Sequence, residues 1–431
     1  MTRFEATREF ARSLDANDAL HRFRDYFNFP PDRDGRRNLY LCGNSLGLQS
    51  KLAVHRIEEE LAKWAEMGVD GHFHGRRPWV RYHRETTPGL AYLCGADEAE
   101  VVAMNSLTVN LHLMMTTFYR PDADRYKIVI ESTAFPSDRY AVASQIRLQG
   151  FEPADALLEW TPREDDRLHM HDLETLLDEH GATIAMLLLP GVQYYNGQLL
   201  DMPRLCGLAR NAGCVIGLDL AHAIGNVPMS LHDWAPDFAV WCSYKYLNTG
   251  PGSVGGAFVH ARHLDDDERA QPLGWWGNEE QTRFMMAPGF DPARGIDRWQ
   301  VSCPAVLAHA PLVASLEIFA EAGIDRLRTK SLELTDYLDF LLQRKLPGRT
   351  RSITPADARG CQLSVVVCDP NLEPKGVFAR LDELNITVDW REPDVIRVAP
   401  VPLYNGFEDA FEFVERLGIA MSADQEIRSS V

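Results

Sequence analysis

A lysine and an aspartate, each placed after a short apolar run, could carry out chemistry together. Asp219 follows the run Val215–Leu218, and Lys245 comes shortly after the run Phe238–Cys242. Both runs are typical of buried strands, so we expect the two side chains at strand carboxyl ends, where open α/β sheets bind ligands. An amine can hold an aldehyde as a Schiff base, and a carboxylate can keep a pyridine nitrogen protonated. The pair predicts pyridoxal phosphate, although either residue alone is more often a surface charge.

Composition narrows the class of protein. A chain of 431 residues with 45% hydrophobic content can build one large core and a smaller domain. The net charge of −18 and the lack of a Lys/Arg-rich block disfavour nucleic acid and anionic membranes as partners. The eight cysteines show no CxxC spacing, so we expect reduced thiols and no metal site. Charges near Met1 and a longest apolar stretch of only Ile184–Leu189 predict a cytoplasmic protein without a signal peptide or membrane span.

The order of apolar patterns predicts the fold class. Residues 52–67 show the spacing of an amphipathic helix. Between about residues 100 and 260, short apolar runs alternate with helix-like segments, which indicates βαβ units and a mainly parallel sheet with helices on both faces. After Pro304 the pattern changes to helices with isolated strands, typical of a smaller α+β domain. The predicted organisation is an N-terminal segment at 1–60 packing with the small domain, a large cofactor-binding domain at 61–305 and the small C-terminal domain at 306–431.

Three motifs place polar or aromatic groups where a cofactor could bind. Asn105–Leu111 carries Ser, Thr and Asn just before a helix-like run, which suits a phosphate but equally suits ordinary N-capping. Phe135–Asp138 follows a strand-like run, so the Phe135 ring could stack on a planar cofactor or simply pack in a turn. His222 could orient Asp219, contact the cofactor or be an ordinary buried histidine.

Three further motifs suit a substrate. Gly71–Gly75 is a glycine-bounded loop that contains His72, and we interpret it as a ligand-contact loop rather than a zinc site. Gly274–Gly277 exposes two indoles, which suits an aromatic substrate or packing at an interface. Arg397 lies in an apolar strand-like segment and needs an anion, either a substrate carboxylate or an internal salt bridge.

Taken in order, these motifs resemble the kynureninase family of fold type I pyridoxal-phosphate enzymes, which are related to aspartate aminotransferase. No single segment is specific, but their order and completeness are. The segments that carry the resemblance are 41–49 (LCGNSLGLQ), 77–79 (RPW), 105–113, 135–138 (FPSD), 191–198 (GVQYYNGQ), 219–223 (DLAHA), 242–248 and 397–405.

The resemblance implies a role for each candidate residue. Lys245 would form the Schiff base, Asp219 and Asp138 would set the charge state of the cofactor, and Tyr244 is a candidate proton donor. The implied cofactor-binding residues are Leu107, Thr108, Phe135, Pro136, Ser137, Asp138, Asp219, His222, Tyr244, Lys245, Trp275 and Cys303. The implied substrate-binding residues are Arg397 for the α-carboxylate and Ser45, His72, Trp275 and Cys303 for the aryl ketone.

The chain departs from the family pattern at two positions. Pro190 stands where other members can have a small hydroxyl residue, and Cys303 stands where members more often have Asn or Thr. The first departure removes one cofactor hydrogen bond, and the second bears on substrate preference. Members are homodimers with the site at the interface, so Trp275 and Cys303 could serve the neighbouring subunit.

The implied reaction is hydrolysis of L-kynurenine to anthranilate and L-alanine in tryptophan degradation, with 3-hydroxy-L-kynurenine as a second candidate substrate. Another fold type I enzyme, such as a cysteine desulfurase or an aminotransferase, is an alternative, because Asp219 and Lys245 are common to those chemistries. A desulfurase needs a reactive cysteine on a mobile loop, whereas Cys361 leads into the strand-like run Gln362–Val367. A non-catalytic cofactor-binding regulator is disfavoured, because the chain has no room for a DNA-binding segment.

Overall fold

A computed structural model describes residues 4–31, 38–266 and 268–428. The strands, in chain order, are β1 (Phe27–Asn28), β2 (Leu39–Tyr40), β3 (Gln49–Ser50), β4 (Val101–Ala103), β5 (Lys127–Glu131), β6 (Leu157–Trp160), β7 (Ile184–Pro190), β8 (Val215–Asp219), β9 (Phe238–Cys242), β10 (Gly255–Val259), β11 (Thr350–Ser352), β12 (Leu363–Val367), β13 (Ile386–Thr387), β14 (Asp389–Arg391) and β15 (Val395–Val398). The α-helices are α1 (Arg8–Asn17), α2 (Lys51–Met67), α3 (Thr87–Cys94), α4 (Leu107–Phe118), α5 (Pro136–Leu148), α6 (Pro153–Ala156), α7 (Met170–His180), α8 (Met202–Ala212), α9 (Leu231–Trp234), α10 (Glu280–Arg283), α11 (Val306–Ala322), α12 (Ile324–Lys345), α13 (Pro374–Glu383) and α14 (Phe407–Arg428).

The central sheet has the strand order β4-β10-β9-β8-β7-β5-β6 among the described residues. Strands β5 to β9 run parallel, and β10 is antiparallel to both β9 and β4. Alternate residues of β7 enter different cores: Leu187 packs on one face and Leu188 on the other. Both faces are therefore buried, which explains why these strands are continuous apolar runs rather than alternating ones. The predicted mainly parallel sheet is confirmed.

The parallel strands bring their final residues to one edge of the sheet. Asp219 ends β8 and lies beside Pro190 at the end of β7 and Val240 of β9. Lys245 follows β9, and Glu131 ends β5. The sequence-based prediction that Asp219 and Lys245 emerge together at strand carboxyl ends is confirmed.

A second, smaller sheet has the antiparallel order β11-β12-β15-β14. One of its faces packs with α12, α13 and α14 around a separate apolar core. The first helix is tied to this part of the chain, because the amide groups of Phe407 and Glu408 donate to the Asp15 carboxylate. The domain limits at 60 and 305 stay a prediction.

No single helix within the described ranges is long and apolar enough to cross a membrane. The pair α11 and α12, bent by 79° at its break, meets that criterion only jointly and only by length and composition.

Candidate active site

The carboxyl edge of the central sheet encloses a cavity of about 170 Å³. The cavity gathers nine of the residues predicted from the sequence: Leu107, Thr108, Phe135, Ser137, Asp138, Asp219, His222, Tyr244 and Lys245. Its other lining residues are Glu131, Pro190, Val192, Tyr194 and Ala221. Pro190, which stands where other family members can have a small hydroxyl residue, lines the cavity and supplies no hydroxyl group there.

Lys245 is held by a histidine. Its Nζ lies 2.9 Å from His222 Nε2. Burial lowers the pKa of His222 well below its ordinary value, and the positive charges of Lys245, Arg397 and Arg391 add to this effect. The ring is therefore neutral and accepts a hydrogen bond from the lysine at Nε2, which places its hydrogen on Nδ1. His222 Nδ1 is buried without a partner among the described residues, so it can donate to a bound molecule.

Two aspartates lie next to each other in the cavity. Asp219 Oδ1 accepts a hydrogen bond of 2.7 Å from the amide of Ala221. Burial raises the pKa of Asp138 well above its ordinary value, and the hydrogen-bonded neighbour Asp219 raises it further. Asp138 therefore favours its protonated form beside Asp219, and a carboxylate here suits a protonated pyridine nitrogen. Asp138 Oδ1 is buried and lacks a partner among the described residues.

Glu131 is a third carboxyl group in the cavity that the sequence reasoning missed. Its side chain is 4% exposed, and burial, followed by the charge of Asp219, raises its pKa to about 8. A signal was present, because Glu131 ends an apolar run just as Asp219 does. Glu131 therefore adds a proton-binding group beside the aspartate pair.

Glu131 should make the cofactor-free protein less stable as the pH rises. Its pKa is raised from 4.5 to about 8 in the folded chain, so in that interval folding must take up a proton. Above about pH 8 folding buries a charge instead. We expect Glu131 to lower the free energy of unfolding by up to about 1.4 kcal/mol per pH unit in this interval.

Urea unfolding at about pH 5.5 and pH 7.5 measures this effect. Glu131→Gln should lose less stability between the two pH values than the wild type does. The exposed Glu179→Gln should behave as the wild type. Equal pH slopes for the wild type and Glu131→Gln would show that Glu131 titrates normally.

The N-termini of two helices, α4 and α5, border the cavity. Neither α4 nor α5 has a side-chain N-cap hydrogen bond, so amide groups of their first turns remain available. Thr108 Oγ1 lies 2.8 Å from Ser137 Oγ and joins the two first turns. Helix α4 begins at Leu107, before the helix-like run expected from Leu111, so Leu107 and Thr108 lie inside the first turn. These groups suit a phosphate.

An aromatic wall borders the same cavity. The Phe135 ring is 43% exposed, and its centroid lies 5.9 Å from Lys245 Nζ. Tyr194, which the sequence reasoning did not single out, meets Phe135 edge to face at 5.2 Å between ring centroids. A planar cofactor attached to Lys245 can therefore lie against the Phe135 ring.

Arg397 lies on the small sheet and is 1% exposed. Its Nη1 donates to the main-chain oxygen of Tyr194 at 2.8 Å, and its Nη2 contacts Asp389 Oδ2 at 2.5 Å. The residues next to Arg397 in the sequence are apolar, but Asp389 lies directly opposite it on β14. An internal salt bridge is thus present. Arg397 Nε remains buried without a partner among the described residues, so the arginine keeps a free donor.

Ser45 and Pro136 lie outside the set that lines the cavity. The Gly47 amide, two residues after Ser45, donates to the Tyr244 main-chain oxygen at 2.8 Å. A Cβ atom on Gly47 would lie 2.3 Å from the Lys245 main-chain oxygen, so this close approach requires glycine. The Ser45 loop therefore packs directly on the lysine segment. Pro136 is the first residue of α5.

His72, Trp275 and Cys303 are exposed residues that do not line the cavity of their own chain. The loops of His72 and Trp275 meet through rings, because Phe284 contacts both Phe73 and Trp275. Their predicted contacts with cofactor and substrate stay predictions.

Solved structures share this fold at low sequence identity. The apo cysteine desulfurase of Thermococcus onnurineus NA1 has a TM-score of 0.74 at 18% identity, covering 90% of this chain and 95% of that one. The Escherichia coli cysteine desulfurase CsdA has a TM-score of 0.74 at 18% identity, covering 95% and 98%. These two likenesses show that the chain shares its fold with those enzymes.

Relatives that match almost the whole chain identify the family to which it belongs. The chain is 50% identical over 417 residues to a kynureninase of Myxococcus xanthus (strain DK1622), covering 96% of this chain and 97% of the relative. It is 49% identical over 416 residues to a kynureninase of Koribacter versatilis (strain Ellin345), with the same coverage. The family model described as the kynureninase C-terminal domain matches residues 327–417. The chain belongs to the kynureninase family, which confirms the resemblance seen in the sequence.

Proposed function

We propose that the chain is a hydrolase that cleaves the Cβ–Cγ bond of L-kynurenine to give anthranilate and L-alanine, with pyridoxal 5′-phosphate as cofactor. One observation carries this proposal: a chain of the kynureninase family places Lys245, Asp219 and an anion site around one cavity. The test is anthranilate release by the purified protein loaded with the cofactor. L-cysteine is the matched control, because a desulfurase would release sulfur from it and form alanine.

The cofactor supplies an electron sink beside the amino group of the substrate. Asp219, with Asp138 beside it, would keep its ring nitrogen protonated, and the first turns of α4 and α5 would hold its phosphate. Lys245 is then the base that moves the proton at the substrate Cα. His222, which holds the Lys245 amine in the structure, keeps the lysine in place until the cofactor is bound.

Tyr244 is our candidate donor at the substrate γ-carbonyl. Burial raises the pKa of the Tyr244 hydroxyl group, and the neighbouring Cys242 raises it further. The hydroxyl group therefore keeps its proton. When water adds to the γ-carbonyl, a hydroxyl group at that oxygen stabilises the developing negative charge. Arg397 orients the other end of the substrate through its α-carboxylate.

We also propose that two copies of the chain form a dimer that completes the aryl pocket. Exposed apolar side chains lie beside Trp275, among them Phe73, Phe284, Met285 and Met286. A second cavity of about 720 Å³ is lined by residues that include 46–49 and 248–253, and none of its lining residues is charged. Surfaces of this kind are typical of interfaces.

Mixing two inactive variants tests the shared site. Lys245→Ala and Trp275→Ala should each be inactive or weak alone. If Trp275 serves the neighbouring cavity, a mixed dimer contains one intact site and regains activity on reassembly. No recovery from a mixture that sedimentation shows to be dimeric would place Trp275 in its own chain's site.

Cys361 argues against a desulfurase. The thiol is fully buried, and burial raises its pKa to about 12. A desulfurase needs a thiolate that can reach the substrate on a mobile loop. We place the enzyme in the cytoplasm, which is supported by its eight unpaired cysteines.

Cys303 should set a mild preference for kynurenine over 3-hydroxykynurenine. A thiol is a poor hydrogen-bonding partner for a ring hydroxyl group compared with an amide. We expect the discrimination to be at most about a hundredfold, because a pocket that merely lacks a partner rejects a hydroxyl group weakly. Cys303→Asn should shift the ratio of the two kcat/KM values toward the hydroxylated substrate. Cys368→Asn is the matched exposed control. An unchanged ratio would mean that residue 303 does not contact the ring.

A further inference from the structure

A second arginine lies beside Arg397 on the same face of the small sheet. Asp389 is directly opposite Arg397 in the β14–β15 pair, and Arg391 is two residues along from Asp389. Residues directly opposite and residues two apart point to the same face of a sheet. Residues on the other face, such as Ile396 and Val398, belong to the apolar core. Arg391, Asp389 and Arg397 therefore share the polar face, away from that core.

One carboxylate serves both guanidinium groups. Asp389 Oδ2 lies 2.5 Å from Arg397 Nη2 and 3.2 Å from Arg391 Nη2. Within the described ranges no other carboxylate forms an ion pair with either arginine. The cluster thus carries one positive charge that its own residues do not neutralise. An anion beside this net positive charge would be stabilised, most of all by the buried guanidinium group of Arg397.

The cluster also has buried hydrogen-bond donors that lack a partner among the described residues. Arg391 Nε and Arg397 Nε are both buried and lack an acceptor among the described residues. Both arginines act electrostatically on His222 and Tyr194, which line the cavity, since each lowers the pKa of His222 and opposes the rise in that of Tyr194. The positive charge of this cluster therefore acts on residues that line the cavity.

We propose that Arg391 is a second carboxylate-selecting residue, which acts with Arg397 on the α-carboxylate of the substrate while Asp389 holds the two guanidinium groups side by side. The inference rests on the proposed function for the identity of the substrate. It assigns selectivity for an α-carboxylate over a neutral group to two arginines rather than to Arg397 alone. Arg391 differs from Arg397 in being partly exposed, with 34% of its side chain accessible, and neither arginine is among the residues that line the cavity.

A pair of small ligands measures this selectivity directly. L-Alanine and L-alaninamide differ in whether the α-carbon carries a carboxylate or a neutral amide. Their dissociation constants can be read from the absorbance of the cofactor-loaded protein at one pH. The ratio of the two constants, compared between variants, cancels the different basicities of the two amines.

Arg391→Gln should reduce the preference for alanine over alaninamide roughly tenfold, which is about 1.4 kcal/mol. Affinity for alaninamide should change little. Arg391→Lys keeps the charge without the planar fork, so it should recover part of the preference. Arg351→Gln is the matched control, because Arg351 lies on the same sheet and also pairs with one aspartate.

An equal loss of affinity for both ligands in Arg391→Gln would overturn the inference, since it would indicate a purely structural role. An unchanged ratio would overturn it as well. Failure of the proposed reaction gives a different pattern: the wild type would release no anthranilate, yet its preference for alanine would still depend on Arg391.

Discussion

Lys245→Ala should abolish turnover of L-kynurenine, with a loss on the order of ten-thousand-fold or more, or about 5.5 kcal/mol of barrier. Two functions disappear together in this variant, the covalent hold on the cofactor aldehyde and the base that moves the Cα proton. His222 also loses the partner that lies 2.9 Å from its ring. The phosphate site and Phe135 are unchanged, so the variant should still bind the cofactor without a covalent bond.

Borohydride reduction followed by peptide mass analysis measures the covalent link. The wild type should retain the cofactor on the peptide that contains Lys245, and Lys245→Ala should retain none. Lys375→Ala is the control, since Lys375 is an exposed lysine paired with Glu392. A reducible adduct that persists in Lys245→Ala would assign the Schiff base to another lysine.

Asp219→Asn should lower turnover at least about a hundredfold, equal to about 2.7 kcal/mol of barrier. Asparagine can still accept the hydrogen bond from the Ala221 amide, so the local turn should survive. The negative charge that the aspartate pair offers to the ring nitrogen is lost, and the electron sink is weakened.

Steady-state kcat for Asp219→Asn, Asp138→Asn and the exposed Asp155→Asn separates the two carboxylates from a general effect of charge. Asp155→Asn should be close to the wild type. A near-wild-type kcat in Asp219→Asn would show that Asp138 or Glu131 holds the ring nitrogen instead.

The positions of the residues that end long apolar runs could be predicted from the sequence. Asp219 and Lys245 follow strands that are buried on both faces, and such strands appear as continuous apolar stretches. The start of α4 was harder to predict from the sequence, because Thr108 and Val109 are β-branched and Asn110 has low helix propensity. There the helix begins four residues before its apolar run suggests.

Contacts that depend on the register between two strands could not be predicted from the sequence. Asp389 is close to Arg397 in the chain, but only the antiparallel pairing of two short strands places them opposite each other. Trp275 is exposed and does not line the cavity, and its predicted contact with a neighbouring subunit stays a prediction. Tyr194 lies in a turn that carries no periodic pattern, and its place beside Phe135 depends on tertiary packing.

The fate of solvent oxygen shows whether the enzyme cleaves the Cβ–Cγ bond by hydrolysis. In hydrolysis of the Cβ–Cγ bond, water adds to the γ-carbonyl, so that carbon leaves as a carboxylate. The cofactor-loaded wild type, given L-kynurenine in ¹⁸O-labelled water, should release anthranilate with one solvent oxygen in its carboxylate and an equal amount of L-alanine. Kynurenic acid, which forms when transamination leaves a keto acid that cyclises, or anthranilate without solvent oxygen would show that the enzyme does not hydrolyse this bond.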